Sequence, residues 1–122
     1  MNRQEWKVAD GYTTCRLSGA CRLFEAADDV TGVIKLARRK QIQRLLVDVT
    51  ALTGFAPPTI IERYDMVTDW ARAACGRMKL VLVARPEMID PDKFGVIVAR
   101  NRGLQAEIFP SEAEARAWLV VA

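Results

Sequence analysis

The run RLLVDVTALTG, residues 44–54, decides the fold of this chain. Residues 45–47 are three consecutive apolar residues, a pattern typical of a strand that is covered on both faces. We predict that this strand ends at Asp48 and that a loop follows it as far as Thr59. Strands covered on both faces belong to parallel sheets with helices packed against them, so the run predicts an α/β protein.

Two strands and a helix are predicted upstream of this run. Asp10-Gly11 separates the strand-like segments 6–8 and 12–18, which predicts a hairpin because Asp-Gly favours a tight two-residue turn. Apolar residues at helical spacing then predict a helix over about residues 25–40. Acidic residues lie near the start of this helix and basic residues near its end, where they complement the helix dipole.

Downstream of the run, helices and strands continue to alternate. Thr59-x-x-Glu62 is a capping box, which predicts a helix that begins after Thr59 and carries Ile60, Tyr64 and Val67 on its apolar stripe. Two strands are predicted over residues 80–83 and 106–109. The helix between them is capped by Asp90-Pro91, packs through Phe94, Ile97 and Val98, and ends at Gly103. A last helix is capped by Ser111 and Glu114.

The predicted element order is therefore ββαβαβαβα. Strands that alternate with helices pair in parallel through right-handed crossovers. The first strand pairs antiparallel in the hairpin, so we expect it at one edge of a mostly parallel sheet. A chain of 122 residues has the length of one domain, and we expect a single domain over residues 1–122.

The composition argues against several classes of function. The chain has 18 Lys and Arg against 15 Asp and Glu, and the net charge of +3 is too small and too evenly spread for a nucleic-acid-binding surface. It has no histidine, the usual general base near neutral pH and a common zinc ligand. No phosphate-binding or dinucleotide-binding glycine motif occurs. We therefore expect a protein that is not an enzyme, holds no metal or cofactor and binds no nucleic acid.

The apolar runs and the cysteines indicate a cytoplasmic protein. Residues 1–6 contain charged and polar side chains and open no apolar segment of the signal-peptide kind. No apolar run approaches the roughly 18 residues that a membrane-spanning helix needs, so we expect no stable membrane insertion. Cys15, Cys21 and Cys75 are odd in number and form no Cys-x-x-Cys pair, which favours reduced thiols over a disulfide framework.

Asp48 is the strongest pointer to a functional site, because open α/β sheets place ligand-facing residues at the carboxyl ends of their strands. The loop after it brings the hydroxyl groups of three threonines close to the start of a helix. Unpaired backbone amides there favour an anion or a phosphorylated side chain. The candidate residues for a partner, ligand or switch site are Asp48, Thr50, Thr53, Gly54, Phe55 and Thr59.

These residues also have a purely structural interpretation. Asp48 can accept backbone N–H groups from the turn that follows it, as turn aspartates commonly do. In this interpretation the role of Thr59 is limited to capping the helix, which stabilises it by about 1 kcal/mol. In the same interpretation Gly54, which two prolines follow in the sequence, has no role other than to shape the turn. The sequence leaves both interpretations open.

Three segments resemble the small bacterial SpoIIAA-like domains of the STAS type. They are residues 44–54 with the helix after them, residues 79–84 (KLVLVA) and residues 105–119 (QAEIFPSEAEARAWL). The resemblance implies a βα fold with a four- or five-stranded sheet. Its well-understood members are anti-sigma-factor antagonists, which bind a partner kinase and are switched by phosphorylation of a serine before the second helix.

The motif of that switch, of the Asp-Ser-Ser-Gly type, is missing from this chain. Asp48 matches the strand-end aspartate of the pattern, and Thr53 and Thr59 are the hydroxyl residues nearest to the switch position. The chain therefore resembles the standalone SpoIIAA-like proteins more than the sporulation regulator.

Two functional hypotheses follow. In the first, the chain is a non-enzymatic regulatory or interaction module of STAS type that presents residues 48–59 and the following helix to a protein partner. In the second, the chain binds a small apolar molecule or a lipid, in a pocket beside the same loop that is lined by residues such as Phe55, Ile60 and Met88.

We also expect a homodimer. Consecutive right-handed crossovers place their helices on the same face of the sheet, whereas the strands over residues 45–47 and 80–83 are apolar on both faces. A symmetric dimer is the simplest cover for the second face. The alternative is that the last helix, with Trp118 and Leu119, crosses to that face within one chain.

Overall fold

The chain alternates strands and helices in the predicted order. The computed structural model describes residues 2–121. Its elements are β1 (Arg3–Ala9), β2 (Tyr12–Ala20), α1 (Leu23–Arg39), β3 (Arg44–Thr53), α2 (Ile60–Ala74), β4 (Lys79–Val83), a 3₁₀ turn (Pro86–Met88), α3 (Phe94–Asn101), β5 (Gln105–Phe109) and α4 (Glu112–Leu119).

The five strands form one mixed sheet in the order β1-β2-β3-β4-β5. β1 and β2 pair antiparallel, as the Asp10-Gly11 turn predicts, and every other neighbouring pair is parallel. In the central strand, Leu46 is in register with Thr14 on one side and with Val81 on the other. The predicted α/β architecture, with an antiparallel strand at the amino-terminal edge, is confirmed.

Three helices, α1, α2 and α3, cover one face of this sheet. Alternate residues of β3 point to that face, so Leu45 and Val47 join a core cluster that includes Val30 and Ile34 of α1 and Trp70 of α2. The apolar residues whose spacing predicted α1 therefore form its buried face. This layer and the sheet hold most of the buried side chains of residues 2–121.

The fourth helix, α4, covers the opposite face. Leu46, Val81 and Val83 of the sheet form a second cluster with Ala115 and Leu119 of α4, and each of the five side chains is at most 3% exposed. The expectation that this face lacks a cover within one chain is wrong, because the last helix crosses to it. The reason for expecting a homodimer is thereby removed.

The prediction that β3 ends at Asp48 is also wrong, for β3 continues to Thr53. Its pairing with β4 does stop at Asp48, but its pairing with β2 goes on to the pair Ala20 and Thr53. β2 is nine residues long and pairs with the residues of β3 after Asp48, whereas the pairing with β4 has already ended. Thr50 and Thr53 therefore lie in a strand rather than in a loop.

The start of α2 agrees with the prediction, but its first turns do not pack as predicted. Thr59 is the cap, and Val67, Trp70 and Ala71 are buried. Ile60 and Tyr64, assigned to the same stripe, are 65% and 41% exposed. The packing of α2 against the core therefore begins about two turns after its first residue.

The third helix begins later than predicted. α3 starts at Phe94, and Asp90-Pro91 lies in the turn before it, where Asp90 Oδ2 accepts the Phe94 N–H at 2.8 Å. Lys93 precedes the helix with a positive φ of 52°. Ile97, expected on the inner face, is 53% exposed.

Candidate functional site

The predicted site residues do not form one cluster. Asp48 and Thr50 border a polar groove with Glu5 and Arg16 of β1 and β2, beside α4. Phe55 lies on the other side of the sheet, against the core under the three helices. The sequence placed these residues in one loop, whereas the extension of β3 separates them.

Asp48 is held by groups of its own chain. Its Oδ1 atom accepts the Thr50 N–H at 2.9 Å and the Thr50 hydroxyl at 2.7 Å. Between Arg16 and Ser18 of β2 the register shifts by one residue, so that β3 is bulged after Asp48 and Thr50 has no partner in β2. The carboxylate thus accepts the N–H of a residue inside the bulge, as the structural interpretation of Asp48 predicts.

Arg16 completes this arrangement. Its Nε atom lies 3.4 Å from Asp48 Oδ2, and its guanidinium also pairs with Glu112 at the start of α4. The hydrogen bond and charge of Glu112, followed by Asp48, raise the pKa of Arg16. The side chain of Asp48 is only 13% exposed. Both oxygen atoms of Asp48 are thus engaged within β2 and β3, and Arg16 extends the arrangement to Glu112 of α4.

Thr53 and Gly54 join the end of β3 to the end of β2. The carbonyl oxygen of Thr53 accepts the Cys21 N–H at 2.8 Å. Gly54 has a φ of +103°, and a Cβ atom at this position would lie 2.6 Å from the carbonyl oxygen of Cys21. Only glycine fits such a close approach of two backbone segments. Gly54 is therefore explained by the fold.

Thr59 forms the predicted capping box. Its hydroxyl accepts the Glu62 N–H at 3.2 Å, and Glu62 Oε1 accepts the Thr59 N–H at 2.8 Å. Ile60, Ile61 and Tyr64 follow at once, with exposures of 65%, 75% and 41%. We call these three side chains the α2 patch. Thr59 thus lies at the edge of an exposed apolar surface.

A cavity of about 130 Å³ lies between the sheet and helices α1, α2 and α3. Phe55 and Met88, which the sequence assigned to an apolar pocket, both line it, whereas Ile60 is exposed on α2 instead. The rest of its apolar wall includes Val30, Val49, Met66, Trp70, Leu82 and Val96. The volume of this space is that of a small apolar group.

Charged side chains stand around the cavity. Arg63, Arg85, Asp90, Lys93 and Glu107 all contribute to its lining. Arg85 Nη2 donates to the carbonyl oxygen of Leu52 at 3.3 Å. Its Nε atom is buried and has no hydrogen-bond partner within residues 2–121.

Arg85 was missed by sequence reasoning, although a signal for it exists. It follows the carboxyl end of β4 by two residues, and the rule that drew attention to Asp48 after the apolar run of β3 applies equally to β4. The consecutive apolar residues 80–83 mark the end of that strand in the sequence.

The cysteines differ in their surroundings. Cys15 is fully buried in β2, and this burial raises the pKa of its thiol to about 12. Cys75 is exposed at the end of α2.

Across residues 2–121, no three side chains of the metal-binding types are grouped so that they could hold an ion. No helix in the same range combines the length and apolar character needed to cross a bilayer.

Comparison with solved structures identifies the fold. The chain is similar to an anti-sigma factor antagonist from Mycobacterium paratuberculosis, with a TM-score of 0.62 and 12% identity over 98% of this chain and 94% of that one. It is also similar to an uncharacterized protein of the DUF3478 family with a SpoIIAA-like fold from Shewanella loihica PV-4, with a TM-score of 0.53 and 14% identity over 97% and 93% of the two chains. No protein-family model and no curated protein sequence matches. The chain therefore has the SpoIIAA-like fold that the sequence resemblance implied.

Proposed function

We propose that the chain, as a single domain over residues 1–122, is a non-enzymatic regulatory module of STAS type that binds a protein partner through the α2 patch and the end of the loop before it. One structural neighbour is an anti-sigma factor antagonist, which supports a regulatory role. The free thiols Cys15, Cys21 and Cys75 support a cytoplasmic location, because oxidising compartments favour disulfides.

The α2 patch is the observation that carries this proposal. Two isoleucines and a tyrosine stand exposed on the first two turns of one helix, and the Thr59 capping box fixes where that helix begins. Contiguous exposed apolar side chains mark interaction sites in many proteins. A surface on a rigid helix is ordered before binding, so association loses less conformational entropy.

A matched pair of variants tests the proposal. Ile61→Asp places a charge on the most exposed residue of the α2 patch, whereas Val8→Asp places the same charge on β1, where Val8 is 81% exposed. We expect the tagged protein and Val8→Asp to retain a partner through affinity purification, and Ile61→Asp to bind it at least about tenfold more weakly. All three should show similar thermal unfolding. Retention of the partner by Ile61→Asp would remove the patch from the site.

Binding of a small apolar molecule is the second candidate function, and the cavity favours it. An engineered protein cavity of about 150 Å³ lined by Leu, Ile and Phe stays dry and binds benzene. The cavity here has a similar volume and a mostly apolar wall. We expect native mass spectrometry of the purified protein to detect a retained ligand. The hypothesis is contradicted by a ligand-free mass together with no binding of a short-chain alcohol by the protein.

A further inference from the structure

We propose that the cavity takes an amphiphile with an anionic head, which the guanidinium of Arg85 binds, and with an apolar tail of about six carbon atoms. This inference rests on the second candidate function above. It names the chemical class of the ligand and the residue that selects it.

The first support is the state of Arg85. A guanidinium carries five N–H donors and stays charged. Here Nη2 reaches the Leu52 carbonyl oxygen, while Nε is buried without an acceptor within the described residues. Buried donors in native proteins are almost always paired, because an unpaired one forgoes its bonds to water. Because Arg85 lines the cavity, an anionic head in that space supplies an acceptor for the guanidinium.

The second support is the balance of charge around the cavity. Three cations, Arg63, Arg85 and Lys93, face two carboxylates, Asp90 and Glu107. Glu107 is bound by Lys93 at 2.9 Å, and Asp90 accepts a backbone N–H at 2.8 Å. Arg63 donates to a backbone carbonyl at 3.1 Å. Neither carboxylate is paired with Arg85, and the five charged groups together carry a net charge of +1, which favours an anionic head over a neutral or cationic one.

The third support is the size and wall of the cavity. Its volume of about 130 Å³ is slightly below that of a cavity known to hold the six carbons of benzene. Trp70, Met66 and Phe55 present rings and a flexible thioether side chain to that space. Methionine adapts to irregular apolar groups. A short alkyl tail therefore matches the cavity better than a long acyl chain.

Three probes of equal chain length test the inference on the wild-type protein: heptanoate, heptan-1-ol and heptylamine. The indole N–H signal of Trp70, one of three tryptophans, reports binding at the cavity in ¹⁵N-edited NMR spectra. We expect heptanoate to bind about tenfold or more tightly than heptan-1-ol, the range for a hydrogen bond to a charged group, and heptylamine to bind most weakly.

The variant Arg85→Met removes the guanidinium and keeps an unbranched apolar side chain. We expect its affinity for heptanoate to fall about tenfold or more, while its affinity for heptan-1-ol changes less than about threefold. Arg39→Met, which removes an equal charge from the exposed end of α1, should leave both affinities unchanged. If Arg85→Met does not fold, the ranking of the three probes on the wild-type protein decides.

The outcomes separate the two proposals. If heptan-1-ol binds the wild-type protein as tightly as heptanoate, the anionic-head inference is overturned and apolar-ligand binding stands. If Arg85→Met folds and retains full heptanoate affinity, Arg85 is not the recognition residue and the inference is likewise overturned. If none of the three probes binds, the ligand-binding function itself fails.

Discussion

Lys79 Nζ donates to the carbonyl oxygen of Trp118 at 2.9 Å and lies 4.4 Å from the centre of the same residue's aromatic ring. Lys79 is the first residue of β4, and Trp118 belongs to the last turn of α4. The same ammonium donates to the Val121 carbonyl oxygen at 2.9 Å. The last carbonyls of a helix lack partners within the helix, so a cation here both satisfies them and complements the helix dipole.

We therefore predict that Lys79→Met loosens α4 and lowers the free energy of unfolding by about 1 kcal/mol. Desolvation, and next the charge of Arg44, lower the pKa of Lys79, which offsets part of the gain from its two carbonyl bonds. Urea denaturation measures the change. Lys40→Met, at an exposed position just after α1, is the control and should differ little from wild type. An unchanged stability of Lys79→Met would show that the bonds of Lys79 to the end of α4 do not contribute to holding the helix in place.

The oligomeric state follows from the position of α4. Because Ala115 and Leu119 cover the second face of the sheet, that face requires no second copy of the chain. We expect light scattering at high micromolar concentration to give the monomer mass of 13.7 kDa. Twice that mass would restore the homodimer and would direct attention to the α2 patch as its interface.

The fold was largely predictable because its strongest signals are local. The capping box of Thr59 and Glu62 involves residues three apart, so the sequence alone locates the start of α2. The end of β3 was not predictable in this way. Whether the residues after Asp48 continue as a strand depends on the length of β2, which lies some thirty residues upstream and pairs with them as far as Thr53.

The candidate site was less predictable, for a related reason. Sequence periodicity groups Ile60 and Tyr64 with the buried Val67, yet it does not show where along α2 the packing partner begins. Similarly, the carboxyl ends of two strands suggest both Asp48 and Arg85. Only the structure shows that Asp48 is engaged by Thr50 and Arg16, whereas Arg85 lines a cavity and has a buried nitrogen with no partner among residues 2–121.

Thr59 gives a prediction that separates capping from regulation. Thr59→Ser and Thr59→Asp should keep the stability of α2 within about 0.5 kcal/mol, whereas Thr59→Ala should lose about 1 kcal/mol, because serine and aspartate cap helices well and alanine does not. Thr59→Asp also places a negative charge beside the α2 patch. We expect it to weaken partner binding while Thr59→Ser preserves it. Full binding by a folded Thr59→Asp protein would leave Thr59 with a capping role only.

The cysteines should react in an order set by burial. At pH 8, Ellman's reagent should label the exposed Cys75 first, and Cys15 only after unfolding, because thiolates react and burial raises the pKa of Cys15 to about 12. Rapid labelling of Cys15 in the folded protein would contradict its burial.

The Cys15 thiol makes the stability of the protein depend on pH in the alkaline range. The pKa of Cys15 is higher in the folded than in the unfolded chain, so folding binds this proton more tightly. Its contribution to stability is complete below about pH 9 and is lost as the pH rises toward 12. We expect Cys15→Ala to be less stable than wild type at pH 8 but to lose less stability between pH 9 and pH 11. Parallel declines of the two proteins would rule out Cys15 as the source.

Gly54 lies at the junction between β2 and β3, and Gly32 in α1 is the matched control for its substitution by alanine. Gly54→Ala should destabilise the protein by about 1–3 kcal/mol, because its positive φ disfavours a side chain and a Cβ atom would lie 2.6 Å from the Cys21 carbonyl oxygen. Gly32 lies within α1 with open space around it, so Gly32→Ala should instead stabilise the helix by about 0.5–1 kcal/mol. Thermal and urea unfolding of both variants measure the difference. Equal effects would mean that the Gly54 backbone relaxes away from Cys21, and the close approach of the two segments would then not explain the glycine.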